Sequence, residues 1–186
     1  MDFKKHLETA WNLTLKFIVP LILITLVMLL VSFFTLGILA PAVMAGYTQS
    51  LLMLLRSGRE PKIQDLFSQM RLFLPLLLFG IICFIAVMIG FVLLVLPGIL
   101  IIAAVLFCCF YMIPLMTDKE MGLMEAIKKS YAIAMEGNKG EHLVAVIIFV
   151  GITAIGGSIF IGSLFTQPLA TIFFVSLYEE KAGKQT

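Results

Sequence analysis

The stretch Arg56–Leu72, RSGREPKIQDLFSQMRL, carries six charged side chains within its first sixteen residues, in a chain that is 61% hydrophobic. The island decides the fold because the runs flanking it are too apolar and too long for a soluble protein. Only 13% of the 186 residues are charged, against roughly 25% in ordinary globular proteins. A soluble domain of this size needs a larger polar coat. The chain therefore reads as a single integral membrane domain, 1–186. A net charge of +2 is too small to suggest a nucleic-acid partner.

All charged side chains fall in four windows, 2–16, 56–71, 118–141 and 179–184, which leaves 17–55, 72–117 and 142–178 without charge. One crossing needs about 20 apolar residues, so each charge-free tract is long enough to go out and come back. Lipid-exposed backbone must satisfy its own hydrogen bonds, so the limbs are helices rather than open strands. The reading is all-α: a polytopic membrane protein with six transmembrane or re-entrant helices, arranged as three hairpins. The spans are about 17–38, 41–56, 73–95, 98–116, 143–162 and 166–178, the last short enough to be re-entrant or interfacial. Their reversal points are Gly37 with Pro41, Gly90 with Pro97 and Gly98, and Gly162 with Pro168, since mid-tract glycine and proline mark helix ends more often than kinks.

Six crossings put all four charged windows on one side, and the positive-inside rule makes that side cytoplasmic. The expected setting is a prokaryotic cytoplasmic membrane, multi-pass, with both termini inside. The segment 1–16 is then an amphipathic N-terminus, 57–71 and 118–141 are cytoplasmic connectors, and 179–186 is a C-terminal tail. Their apolar residues recur at helical spacing: Phe3, Leu7 and Trp11; Ile63, Leu66, Phe67 and Met70; Met124, Ile127 and Tyr131. These are candidate interface residues of short helices lying in the headgroup layer. The bland alternative is that they cap the bundle and touch protein.

KIQDLFSQMR at 62–71 and GLMEAIKKSY at 122–131 form a faint internal repeat, each between one hairpin and the next. Together with AWNLTLKF, PAVMAGYTQSLLMLLRSGREP and LPGIL, they resemble the glycerophosphoryl diester phosphodiesterase membrane-domain superfamily and its prokaryotic relatives of unknown function. In that pattern a proline and a Gly-Tyr open a return helix, which ends near a glycine and an acidic residue before an Asp-Leu-Phe segment. Here the positions are Pro41, Gly46, Tyr47, Gly58, Glu60, Asp65, Leu66 and Phe67. The resemblance implies a six-helix membrane module without an activity of its own, because the fused enzymes keep catalysis in a separate domain for which this chain has no room.

Chemistry is sparse. His6 and His142 are far apart and read as interfacial residues rather than metal ligands. Cys83, Cys108 and Cys109 lie inside predicted spans with no CxxC spacing, so they read as small hydrophobes. No nucleophile with an oriented base can be named from the sequence. GNKGE at 137–141 reads as a turn rather than a phosphate loop. The span interiors lack the ionisable residues that mark ion pathways. They do carry stripes of small residues, Ala42, Gly46 and Ser50, and Ala154, Ser158 and Gly162, which let helices approach closely within one chain or between copies.

These features lead to a noncatalytic membrane protein with no metal or cofactor. Its expected role is a lipid-facing scaffold or membrane organiser, with membrane lipids as partners and a homo-oligomer as a possible assembly. The rival reading is a small uncoupled transporter of a lipid or hydrophobic solute. Topology has a direct test: cysteines introduced at Ser57 and Asn138 should resist impermeant thiol reagents in intact cells and react after permeabilisation. Reaction of either before permeabilisation contradicts the one-sided arrangement.

Overall fold

The computed structural model describes residues 2–136, 139–157 and 160–183, and their regular structure is entirely helical. The α-helices are α1 Phe3–Lys16, α2 Ile18–Phe34, α3 Ala40–Ser57, α4 Phe73–Leu93, α5 Val95–Cys108, α6 Met112–Asp118, α7 Leu123–Met135, α8 Lys139–Gly157 and α9 Phe160–Gly183. Among the described residues, three helices are long and apolar enough to cross a bilayer: Ile63–Leu93, Val95–Asp118 and Lys139–Gly157. These mark the chain as a membrane protein. The pair α1 and α2 joins them only if counted together, and its axes are bent by 91°.

Pro41 opens the return helix as expected, and proline placement departs from the expectation at Pro97 and Pro168. Pro20, Pro41, Pro75, Pro97 and Pro114 each stand in the first turn of a helix, where the missing N–H has no intrahelical acceptor to lose. They start helices rather than mark their ends. The first reversal is made by Leu36 and Gly37, with φ of 51° and 80°. The second falls at Leu94, a single extended residue between α4 and α5, so Gly90 and Gly98 are not the turn. They are where the two limbs touch: a Cβ on Gly90 would lie 2.9 Å from the Gly98 Cα.

The third hairpin departs further. Helix α8 ends at Gly157 and α9 already runs from Phe160 through the predicted reversal at 162–166, with Pro168 inside it. Helix α9 is not short, and it carries the charged window as far as Gly183 in helical form instead of as a tail. From Ala170 to Tyr178 every residue is buried, and the helix packs against α1, α2, α3 and α8. An apolar helix buried on all sides is a core helix.

The connectors are held by protein. The short helix expected in the first connector forms two 3₁₀ turns, Ile63–Phe67 and Met70–Leu72. Asp65 sets this geometry: its carboxylate accepts from the Lys62 backbone N–H at 3.0 Å and the Ser50 hydroxyl at 2.7 Å, and is paired with Arg59. Leu66 is fully buried against the core. The connector can come this close because Gly46 lies beneath it. A Cβ there would stand 2.7 Å from the Leu66 carbonyl carbon and inside van der Waals contact of two carbonyl oxygens. The second connector is a regular helix, α7, so the two halves of the apparent repeat fold differently. Its buried face is Ala126, Ser130, Ile133 and Ala134.

Gly46→Val should force the connector off α3, with a loss on the scale of overpacking, about 1–3 kcal/mol. Gly80→Ala provides the control, because a Cβ there meets nothing within 4 Å. Thermal unfolding in detergent should show a lower transition for the first variant and no loss for the second.

Candidate functional site

All four charged windows meet at one end of the bundle. Arg56, in the last turn of α3, is the hub. Its Nη1 and Nη2 donate to the two carboxylate oxygens of Asp118 at 2.5 and 3.0 Å, and its Nε donates to Glu179 at 2.7 Å. The Tyr178 hydroxyl donates to Asp118 at 2.9 Å. One guanidinium thus ties the C-terminal ends of α3 and α6 to α9. The bidentate fork suits arginine and would not be reproduced by lysine. Asp118 is only 9% exposed in its side chain, which makes the pairing matter more than an exposed ion pair would. Arg71 pairs with Glu120 at 3.2 Å beside this hub and links the two connectors directly.

The amphipathic N-terminus reaches the same end. His6 on α1 is buried, with Nδ1 2.6 Å from the Ser176 hydroxyl and Nε2 2.7 Å from a Glu180 carboxylate oxygen. Ser176 and Glu180 are one turn apart on α9, so a single imidazole bridges two of its side chains. Asp2, Lys5, His6, Arg56, Ser176, Glu179 and Glu180 surround an open cavity of about 730 Å³. A hydroxyl, an imidazole and a carboxylate in series are the elements of an activated nucleophile. Acyl transfer also needs donors aimed at a developing oxyanion. Ser176 lies well inside α9, where neighbouring backbone N–H groups are committed to helical hydrogen bonds. The chemistry this arrangement supports is fastening and polar recognition.

Farther from the charged end, the bundle holds an apolar cavity of about 250 Å³, bordered by Met44, Phe79, Leu106, Phe110, Phe149 and Phe174. Beside it, the break between α5 and α6 is closed by Ser130, whose hydroxyl donates to the Cys108 carbonyl at 2.7 Å and accepts from the Tyr111 N–H at 3.1 Å. His142 bonds the Phe107 carbonyl at 2.9 Å through Nε2 and packs edge-on against Phe107 and Phe110. Both histidines are therefore buried in protein. Among the described residues no group of histidine, cysteine, aspartate or glutamate is placed to hold a metal ion.

The predicted interface residues divide. Trp11, Ile63, Phe67, Met124 and Tyr131 are exposed, whereas Phe3, Leu7 and Ile127 are partly buried against the core and Leu66 is fully buried. Met70 is half-buried. On α1 the buried stripe is His6, Ala10 and Thr14, a polar and small pattern that an apolar-periodicity reading passes over. The stripe of Ala42, Gly46 and Ser50 is buried too, and its Gly46 and Ser50 receive the connector within the same chain. Ala154 is exposed, Gly162 is half-buried, and Ser158 lies outside the described residues. The close approach on α8 is at Gly156, where a Cβ would collide with Thr166.

Compared with protein families, characterised proteins and solved structures, the chain matches none.

Arg56→Gln should strand the Asp118 carboxylate with the Tyr178 hydroxyl and lower stability in detergent by about 1–3 kcal/mol, the cost of leaving such a group unpaired. Combining it with Asp118→Asn should recover part of that loss. Lys128→Gln, on the exposed side of α7, should leave the unfolding midpoint unchanged. Equal effects of Arg56→Gln and Lys128→Gln would contradict the hub.

Proposed function

We propose that the chain is a noncatalytic, multi-pass module of a prokaryotic cytoplasmic membrane that acts through its lipid-facing surface as a scaffold or membrane organiser. The observation that carries this reading is the hairpin α4–α5. It stands largely outside the core: in its first limb the most apolar window is only 11% buried. Val92, Leu93, Leu94 and Leu96 at its tip are each at least 68% exposed. Such a surface is compatible with acyl chains and not with water.

In this proposal the six apolar limbs form three hairpins, and the charged end faces the cytoplasm with both termini. The contacts joining all four charged windows support that arrangement. The bend between α1 and α2 lays α1 across the charged end, at headgroup depth, with Trp11 toward the interface. Bulk is then distributed unequally between leaflets, which is how interfacial helices couple to curvature. With the Gly46 stripe already covered, self-association would use the outer faces of α4, α5 and α8. The resemblance to the glycerophosphoryl diester phosphodiesterase membrane-domain superfamily fits the same module, since Gly46, Tyr47, Gly58, Asp65 and Leu66 all have structural roles here. Tyr47 is bonded to Thr25 of α2 at 2.9 Å, and Gly58 ends α3 with a φ of 68°.

One observation favours the rival reading of a lipid or hydrophobic-solute transporter, namely the apolar cavity beside Phe110 and Phe174. Reconstitution separates the two. At rising protein-to-lipid ratio the scaffold should cluster or deform vesicles seen by electron cryomicroscopy, with no movement of labelled lipid. Flat vesicles holding monomers that move lipid or solute would replace the scaffold with the transporter.

A further inference from the structure

We propose that the cavity between α1, α3 and α9 binds a zwitterionic phosphoethanolamine group, as carried by an aminophospholipid headgroup. The inference rests on the lipid-facing reading for its choice of a membrane ligand, but the site itself stands on charge and shape.

The cavity walls carry both signs. Lys5 and Arg56 supply cations, and Asp2, Glu179 and Glu180 supply carboxylates. A simple anion would meet three negative groups, and a simple cation would meet an arginine and a lysine. A ligand with a phosphate and an ammonium a few bonds apart satisfies both. Among the described residues the Lys5 ammonium is in no ion pair, although its backbone N–H caps on Asp2 at 3.2 Å. It is the natural phosphate contact at the mouth, as a mobile point charge. The carboxylates of α9, with the buried His6 and Ser176 at their base, provide acceptors for the ammonium.

The lining also selects within zwitterions. Quaternary ammonium groups are recognised by cages of Trp, Tyr or Phe, and among the described residues none of these borders this cavity. A primary ammonium can instead donate hydrogen bonds to carboxylates, which a choline group cannot. Position supports a lipid source: α1 carries Lys5 on one face and Trp11 farther along, and with α1 bent 91° from α2 the orientation proposed above would set the cavity among headgroups.

The test uses the full chain in detergent, titrated calorimetrically with dihexanoyl phosphatidylethanolamine, the corresponding choline and glycerol lipids, and soluble phosphoethanolamine. The ethanolamine lipid should bind saturably and about tenfold or more tighter than the choline lipid, the scale of hydrogen bonds to charged groups. Lys5→Gln should weaken it about two- to fivefold, the scale of one solvent-screened charge contact, while Lys128→Gln should not. Soluble phosphoethanolamine binding as tightly as the lipid would support the headgroup chemistry and assign the site to a soluble ligand. Equal affinity for ethanolamine and choline lipids, tighter binding of the glycerol lipid, or indifference to Lys5→Gln would each overturn the proposal. Micellar binding does not depend on vesicle shape, so this result and the scaffold test can fail independently.

Discussion

Between Ala170 and Tyr178 every residue of α9 is buried, so this helix must be matched by neighbours on all of its faces. That constraint organises the bundle. Helix α1 lies on it through His6, Ala10 and Thr14, α3 packs along it, and α8 returns beside it. In lipid, apolar surface alone gives no reason for helices to associate, and close packing with interhelical hydrogen bonds must supply one. The polar end of α9 does so: Ser176, Tyr178, Glu179 and Glu180 engage three other helices through His6, Asp118 and Arg56.

Hydroxyls do corresponding work within the apolar layer. Thr25 donates to the Leu21 carbonyl at 2.7 Å and accepts from Tyr47 at 2.9 Å, so one side chain satisfies its own helix and bonds α2 to α3. Ser130 repairs the backbone where α5 gives way to α6. At the connector the Ser50 hydroxyl donates to the Asp65 carboxylate at 2.7 Å. Each is a buried polar group with its partner in place, the condition under which such groups specify one packing arrangement.

The all-helical membrane class and the clustering of charged windows were legible from the sequence because they rest on one-dimensional quantities, apolar length and the position of charges, whereas three helices rather than six limbs are long and apolar enough to cross among the described residues. The turns were less so. Proline signals both helix starts and helix breaks, and only the first-turn placement of Pro41 and Pro97, against the interior placement of Pro168, separates the two. The docked connector was hidden for a different reason. Ile63, Leu66, Phe67 and Met70 keep α-helical spacing, but Asp65 captures the Lys62 N–H and the Ser50 hydroxyl, and that local bonding outcompetes the periodic pattern. The candidate site was invisible because its residues are far apart in sequence. His6 and Glu180, or Arg56 and Asp118, carry no spacing signal. The only available clue was that four charged windows must share one side.

The molecule is therefore built with opposite mechanical characters at its two extremes. At the charged end, ion pairs and a buried imidazole cross-link α1, α3, α6 and α9, and both connectors are drawn onto the protein. At the other, the tip of α4–α5 has few neighbours, and its helices touch mainly each other at Gly90 and Gly98. Local opening is easiest where buried contacts are few, so the hairpin is the part free to adjust to bilayer thickness or to a second copy while the polar end keeps its shape. Among the described residues Thr25, Thr48 and Ser130 are bonded within the bundle, Thr14, Gln49, Tyr111, His142 and Thr171 each keep a buried polar atom without a partner, and the densest polar network lies at the charged end. One chain thus fixes its charged end by paired side chains and leaves an exposed apolar hairpin at the other.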